Sequence, residues 1–517
     1  MSPLLLSVLL LAPQAPSPRP DAPARAEGAA RKDEGADAKD EAKEKEKPEE
    51  PPVVTRHELH IGTRILRYSV TTGFMPIKNE EGKTEARIFY MAYVADRTGG
   101  PGQRPLMFSF NGGPGSASVW LHLGALGPKR VKMLDDGGLP AAPYELVENE
   151  QSWLEFTDLV FIDPVGTGYS RAEKPELGKK FWGLQGDIQS VGEFIRMYLS
   201  RAERWASPLF LVGESYGTTR AAGLSGYLIE RGIAFNGIVL VSSILNFQTA
   251  RFSNGNDLPY VLFLPTYSAI AWYHKQLPAD LQGKPLPDVL AEVERWAGGE
   301  YTDRLAEGDR LSEALRKDTI AKLARFTGLD ATYLDQTNLR IEIQRFCKEL
   351  LRDQKRTVGR LDGRFKGMDA LGVSEEPDFD PSLAAIRPPY TAMFNDYVRR
   401  ELNFKSDLTY YILGGGIGQR WDFGSDNAFA DTGESLRSAF AKNPHMRLYV
   451  ASGYYDLATP YFATEYTLSH LGLDPSLKAN VSTGFYEAGH MMYIHVGELA
   501  RLRKDVGTFV QKALEKR

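Results

Sequence analysis

Alternation of apolar and polar positions, together with short unbroken apolar runs, predicts strands and helices taking turns along the chain. Residues 64–70 and 87–94 read as strands rich in β-branched and aromatic side chains, separated by a turn at Asn79-Glu80-Glu81-Gly82. The tight apolar runs 105–110, 158–162, 208–212 and 237–241 have the length of strands buried on both faces. Residues 187–201 and 218–231 carry helical spacing between them. Strands alternating with helices predict an α/β fold with a mostly parallel central sheet flanked by helices. From residue 246 to 407 the pattern changes, and 286–296, 310–326 and 337–352 read as helices with charged outer faces. Strand patterns return at 447–450 and 480–486. The organisation expected is a core of 53–245 and 408–517, interrupted by a largely helical cap insertion at 246–407.

The ends of the chain and its composition narrow the function classes. The run from Leu4 to Leu11 has the length of a signal-peptide h-region and is too short to span a bilayer. Residues 1–15 are therefore expected to direct export, periplasmic or secreted, without stable membrane insertion, although no Lys or Arg precedes the apolar run. Residues 16–52 are rich in Ala, Pro, Glu, Asp and Lys, lack aromatic residues, and read as a disordered low-complexity linker. Over 517 residues, 42% hydrophobic and 25% charged positions are ordinary globular values. The formal net charge of −5 offers no electrostatic footprint for nucleic acid. Cys347 is the single cysteine, so no intrachain disulfide stabilises the fold.

Candidate chemistry begins at Gly213-Glu214-Ser215-Tyr216-Gly217, set between a predicted strand and a predicted helix. That context is the nucleophile elbow of the α/β-hydrolase fold, where a sharp turn exposes the serine hydroxyl and the glycines keep Cβ atoms out of a crowded bend. A serine hydroxyl needs a base to take its proton, usually histidine. Of eight histidines, His490 follows a strand and lies C-terminal to the elbow. The acid that orients it is expected after another strand and between the two in sequence, which selects Asp456. Asn111-Gly112-Gly113-Pro114-Gly115 follows the strand at 105–110, where this fold takes an oxyanion-hole donor. Gly113 and Tyr216 are the expected backbone donors. His57-Glu58-Leu59-His60 is one residue short of the zinc-protease pattern, and Gly414-Gly415-Gly416-Ile417-Gly418 lacks dinucleotide spacing and reads as a flexible loop. No metal or cofactor is expected.

With these segments the chain resembles the serine carboxypeptidase family, its bacterial branch especially. The stretches that carry the resemblance are Asn111 to Ser118, Asp163 to Ser170, Gly213 to Gly217 and Gly489-His490-Met491. The resemblance implies a peptidase acting on peptide or protein C-termini, often at acidic pH, with a helical insertion shaping access to the site. It also implies that Asn111 and Glu214 hold the substrate's terminal carboxylate. The family's second acid falls at Ala125 here, and its aromatic two places before the Asn falls at Ser109. Ser116 stands where eukaryotic members often have a disulfide-bonded cysteine. Losing one acid that must stay protonated predicts terminal-carboxylate recognition that is weaker or built differently, with a less acidic optimum. The same triad serves an esterase or acyltransferase, and the fold also occurs in catalytically silent binding proteins. Competition between water and alcohol acceptors separates the first alternative, and phosphonate labelling of Ser215 the second.

Overall fold

In an extended chain successive side chains point to opposite faces, so the buried runs must be covered on both sides. A computed structural model, describing residues 49–96, 104–425 and 428–515, shows how this is met. The expected signal peptide and most of the expected linker, residues 1–48, lie outside the described residues. The main strands are β1 (Val53–Ile61), β2 (Arg64–Lys78), β3 (Thr84–Ala95), β4 (Leu106–Phe110), β5 (Asp158–Ile162), β6 (Leu209–Ser215), β7 (Gly237–Ser243), β8 (Arg447–Gly453) and β9 (Val481–Tyr486). They form one sheet in the order β1-β2-β3-β5-β4-β6-β7-β8-β9, with the two-residue strand Arg171–Ala172 paired to β3. Pairing is antiparallel from β1 to β5 and parallel from β5 to β9. The expected mostly parallel sheet is present. Its order reverses around β4 and β6, and a crevice at the C-terminal ends of strands at such a reversal is where open α/β sheets bind ligands. Asn111 and Ser215 stand at those two ends.

Side chains of alternating strand positions feed two separate cores. Phe210, Val212, Val239, Val241, Tyr449 and Ala451 enter one, and Leu209, Leu211, Ile238, Leu240, Leu448 and Val450 enter the other. Helices α1 (Leu184–Arg201) and α2 (Tyr216–Ile229) cover the second face through residues such as Ile188, Phe194, Leu224 and Leu228. The first face is covered through Leu502 and Phe509 of the C-terminal helix Val496–Leu514.

The segment between β7 and β8 holds a third core, built on α3 (Leu258–Tyr273), α4 (Leu286–Trp296) and α5 (Glu313–Thr327). α4 has the bounds expected from its spacing. α5 starts at Glu313 because Ser312 caps it, its hydroxyl accepting from Leu315 N–H at 3.3 Å. The helix expected at 337–352 is reduced to Ile343–Glu349, since Asn338 and Leu339 sit at φ 53° and 65° and break the helical path. The last helix of the segment, α6 (Pro381–Arg400), contributes Tyr390, Phe394, Tyr397 and Val398 to the first sheet core rather than to the third. Among the described residues no helix is long and apolar enough to cross a membrane.

Candidate active site

β6 runs directly into α2 at Ser215, whose φ of +60° is a conformation that non-glycine residues adopt at a cost of about 1–3 kcal/mol. The flanking glycines explain how the bend is tolerated. A Cβ on Gly213 would lie 2.2 Å from the Gly217 carbonyl, and one on Gly217 would lie 2.8 Å from the Phe110 carbonyl. The hydroxyl of Thr218 donates to the Ser215 carbonyl at 2.6 Å, and α2 therefore begins at Tyr216, two residues earlier than its apolar spacing implies. The helix N-terminus, with its unsatisfied N–H groups, faces the serine end of the strand.

His490 and Asp456 meet across the loops after β9 and β8. His490 Nδ1 lies 2.8 Å from Asp456 Oδ2. Asp456 is held by N–H groups of Ala458 (2.7 Å) and Thr459 (3.1 Å) and by the Thr459 hydroxyl (2.7 Å), so its carboxylate cannot swing. Burial works against charge on His490, but the Asp456 carboxylate outweighs it through charge and hydrogen bond, and the imidazole keeps its proton above the ordinary histidine range. The backbone around His490 is pinned from two sides. Its carbonyl accepts from the Ser242 hydroxyl at 2.6 Å, and its N–H donates to Leu361 O at 2.7 Å. Ser243, next to Ser242, is the register partner of Ser215, so the histidine loop is tied to the strand beside the elbow. The bracing by Leu361, and by Asp362 through Gly489 N–H at 3.0 Å, comes from the segment between β7 and β8 and has no signature in the sequence. Among the described residues Ser215 Oγ makes no hydrogen bond to His490. Such bonds are often formed only once substrate is bound.

The Gly-rich loop after β4 lies against the elbow. A Cβ on Gly112 would fall 2.3 Å from Tyr216 N and 2.7 Å from the Glu214 carbonyl, so only glycine allows this approach. Gly113, at φ 103°, and Tyr216 thus present neighbouring backbone N–H groups, and neither donates to a protein acceptor among the described residues. The loop at Gly414 to Gly418 touches the Gly-rich loop after β4. Gly414 N–H donates to Gly115 O at 3.2 Å, and Ile417 is buried against Gly115 and Gly166.

Arg220, fully buried on α2, ties this assembly together. Its Nε donates to Asp187 on α1 at 2.7 Å, and one terminal nitrogen donates to the Asn111 carbonyl at 2.7 Å. Arg220→Met leaves Asp187 buried without its counter-charge, and the expected cost is about 3–5 kcal/mol. Urea unfolding of the variant measures it; a loss under 1 kcal/mol would contradict this role.

Asn111 and Glu214 come together beneath the elbow with a residue that the sequence did not single out, Tyr493. Its hydroxyl donates to Glu214 Oε2 at 2.5 Å. Asn111 Oδ1 accepts from Leu121 N–H at 3.0 Å, and its buried side-chain amide lies against Glu214 and Tyr493. Burial raises the Glu214 carboxyl to about 7, against the opposing influence of His490, Tyr493 and Asn111. Ala125 lies buried in the π-helical turn His122–Leu126. The adjacent Gly124 approaches Tyr493 and Tyr390 so closely that a Cβ there would meet Tyr493 Cε2 at 2.5 Å and the Tyr390 hydroxyl at 2.6 Å. The tyrosine ring therefore packs against the turn that carries Ala125 and bonds the remaining acid. Tyr493 lies three residues after His490, and that position was the only hint available. Ser109 and Ser116 are both buried, the latter accepting from Trp120 Nε1 at 2.7 Å. Of the other histidines, His122 is buried beside the Tyr93 hydroxyl (2.7 Å), and His60 pairs with Glu148 at the surface.

The sheet, the elbow and the loops around it define an α/β-hydrolase with a serine at the elbow. Within that class part of the chain is similar to serine carboxypeptidases: residues 62–276 match the family model described as serine carboxypeptidase. Serine carboxypeptidase-like 5 of Arabidopsis thaliana is 31% identical over 259 residues, 49% of this chain and 53% of that protein. Serine carboxypeptidase-like 2 of the same plant is 30% identical over 154 residues, 29% of this chain and 32% of that protein. The chain thus spans about half or less of the length of the curated relatives it matches. Among solved structures, a prohormone-processing carboxypeptidase from Saccharomyces cerevisiae, Kex1(delta)p, shares the fold with a TM-score of 0.55 at 16% identity, covering 86% of this chain and 91% of that one.

Proposed function

We propose that the protein is a serine-type carboxypeptidase that releases C-terminal residues from peptides through an acyl-enzyme on Ser215. The observation that supports this best is a buried acid raised to about 7, Glu214, immediately beside the elbow serine and next to the buried Asn111 amide. In this proposal Ser215 Oγ attacks the last peptide carbonyl while His490 Nε2 takes its proton, and Asp456 holds the Nδ1–H tautomer. The N–H groups of Gly113 and Tyr216 receive the negative charge that develops on the carbonyl oxygen. His490 then protonates the departing amine, and water releases the acyl group by the same steps reversed. Asn111 and protonated Glu214 donate to the substrate's terminal carboxylate. Tyr493 donates to Glu214 and packs against the turn that carries Ala125. The apolar run at the N-terminus supports export of the enzyme to a periplasmic or extracellular setting.

The pH dependence tests this assignment. Below about 7 Glu214 keeps its proton and donates to the carboxylate, whereas above about 7 it becomes an anion that repels it. His490 must be neutral to act as base, and its affinity for a proton is raised, so activity also falls on the acid side. For blocked peptides with a free C-terminus, kcat/KM is expected to fall about tenfold per pH unit on the alkaline side. The matching amides, lacking the carboxylate, should be poorer substrates and show no such fall, and Glu214→Gln should remove it from the acids. Equal rates on acids and amides at every pH would sink the carboxypeptidase assignment.

A further inference from the structure

The stretch Arg360 to Arg364, in the segment between β7 and β8, bonds both loops that carry the acid and the base. Toward the acid loop, Leu457 N–H donates to the Arg360 carbonyl at 3.0 Å, and Gly363 N–H donates to the Tyr455 carbonyl at 2.9 Å. These two bonds bracket Asp456. Toward the base loop, His490 N–H donates to the Leu361 carbonyl at 2.7 Å and Gly489 N–H to the Asp362 carboxylate at 3.0 Å. Arg364 adds a further bond there, donating to the Glu487 carbonyl at 2.9 Å. Its guanidinium also lies 5.3 Å from the centre of the Tyr455 ring, so one side chain reaches both loops. The fit is close: a Cβ on Gly489 would fall 2.4 Å from Asp362 Cβ and 2.4 Å from the Leu361 carbonyl oxygen.

This clip is itself held rigidly. Asp362 and Arg364 form a buried ion pair, with Nε at 2.9 Å from one carboxylate oxygen and a terminal nitrogen at 2.6 Å from the other. Such two-pronged pairing fixes both side chains in one geometry. The backbone is anchored from outside. The Ser382 hydroxyl of α6 accepts from Leu361 N–H at 3.1 Å and from Asp362 N–H at 3.2 Å. At the end of α3, His274 Nε2 donates to the Gly363 carbonyl at 2.8 Å. The two loops need such a tie. Past Tyr455, whose N–H donates to the Ala488 carbonyl at 3.0 Å, no backbone bond joins them directly among the described residues.

We infer that Asp362 and Arg364 are positioning residues that set the geometry of the Asp456–His490 pair. The inference rests on the acid and base roles proposed for those two residues. Both side chains act through backbone groups of the loops, so their loss leaves the reacting atoms in place chemically but lets them drift. A drift of about 1 Å at a reacting group costs about a hundredfold in rate. The substrate's terminal carboxylate is held elsewhere, at Asn111 and Glu214, so binding is spared.

Kinetics on an activated acyl ester and on blocked peptides test this with wild type, Asp362→Ala, Arg364→Met and Arg364→Lys, each at a temperature where unfolding curves show it folded. The control is Lys348→Met, which breaks another buried ion pair of the same segment, Lys348 with Asp369, that bonds neither loop. Asp362→Ala and Arg364→Met should lower kcat about a hundredfold on both substrates, with KM within about twofold of wild type. Arg364→Lys keeps a charge beside Asp362 but loses the bond to the Glu487 carbonyl, so it should lose only about tenfold. It carries the test alone if the Ala and Met variants do not fold. Lys348→Met should lower stability and leave kcat within about twofold. The inference is overturned if the folded clip variants keep kcat within about twofold of wild type, or if Lys348→Met loses as much as they do. Ester turnover needs only acyl transfer through Ser215 and His490. A wild type that cleaves esters and not peptides would therefore refute the carboxypeptidase reading, while the ester ratios still test the clip. A wild type that cleaves neither would overturn both.

Discussion

Ser215→Ala is expected to lower kcat by about six orders of magnitude with little change in substrate affinity, because in the proposed mechanism it removes the atom that forms the acyl bond. The fold should not register the change. The positive φ at this position is imposed by the contacts of Gly213 and Gly217, and alanine suffers the same strain as serine. Thermal unfolding should therefore place the variant within about 0.5 kcal/mol of wild type. The informative comparison is the double variant Ser215→Ala with His490→Ala. The two groups act as one unit, so the double should be no slower than Ser215→Ala alone. Losses that multiply would mean that His490 serves some other step. Single-turnover rates on a blocked peptide measure all three proteins.

Asp456→Asn is expected to cost about four orders of magnitude in kcat through a different cause. Oδ1 accepts from Ala458 N–H and Thr459 N–H, whereas Oδ2 faces the Thr459 hydroxyl and His490, and the two N–H groups fix how an Asn at this position must sit. With its oxygen kept for the donors, the amide nitrogen faces His490 Nδ1. The imidazole then places its own proton on Nε2, where the serine proton has to go. Substrate affinity should change little, since Asn111, Glu214 and Tyr493 keep their places. The same variant loses the charge that raises His490, so the acid limb of any residual activity should shift to lower pH. A loss of less than tenfold would show that Asp456 does not orient the base.

What could be seen from sequence alone follows from how local each signal is. The elbow is legible because its strand, serine and glycines fall within nine residues, Leu209 to Gly217, and each has a steric reason there. His490 and Asp456 followed from their places after strands, and the structure brings them to 2.8 Å. Tyr493 could not be read in the same way. Its partner Glu214 lies 279 residues away, and a tyrosine in an apolar stretch gives no sign of facing an acid. Helix α3 escaped because it is buried all round and its apolar positions have no period to detect. Helix α6 escaped because Pro388-Pro389 reads as a break. It persists because Pro389, Tyr390, Phe394 and Tyr397 are buried beneath the sheet, and that burial outweighs two missing backbone donors. The glycine content at Gly414 to Gly418 signals freedom of φ, and in the structure that freedom lets the backbone pack onto Gly115.

Mass spectrometry of a defined peptide library, before and after incubation with wild-type protein and with Ser215→Ala, tests the central claim most directly. Ladders that lose one residue at a time from free C-termini, absent with Ser215→Ala and absent for amidated peptides, are the predicted result. Internal cleavage, loss from N-termini, or equal trimming of amidated peptides would contradict it.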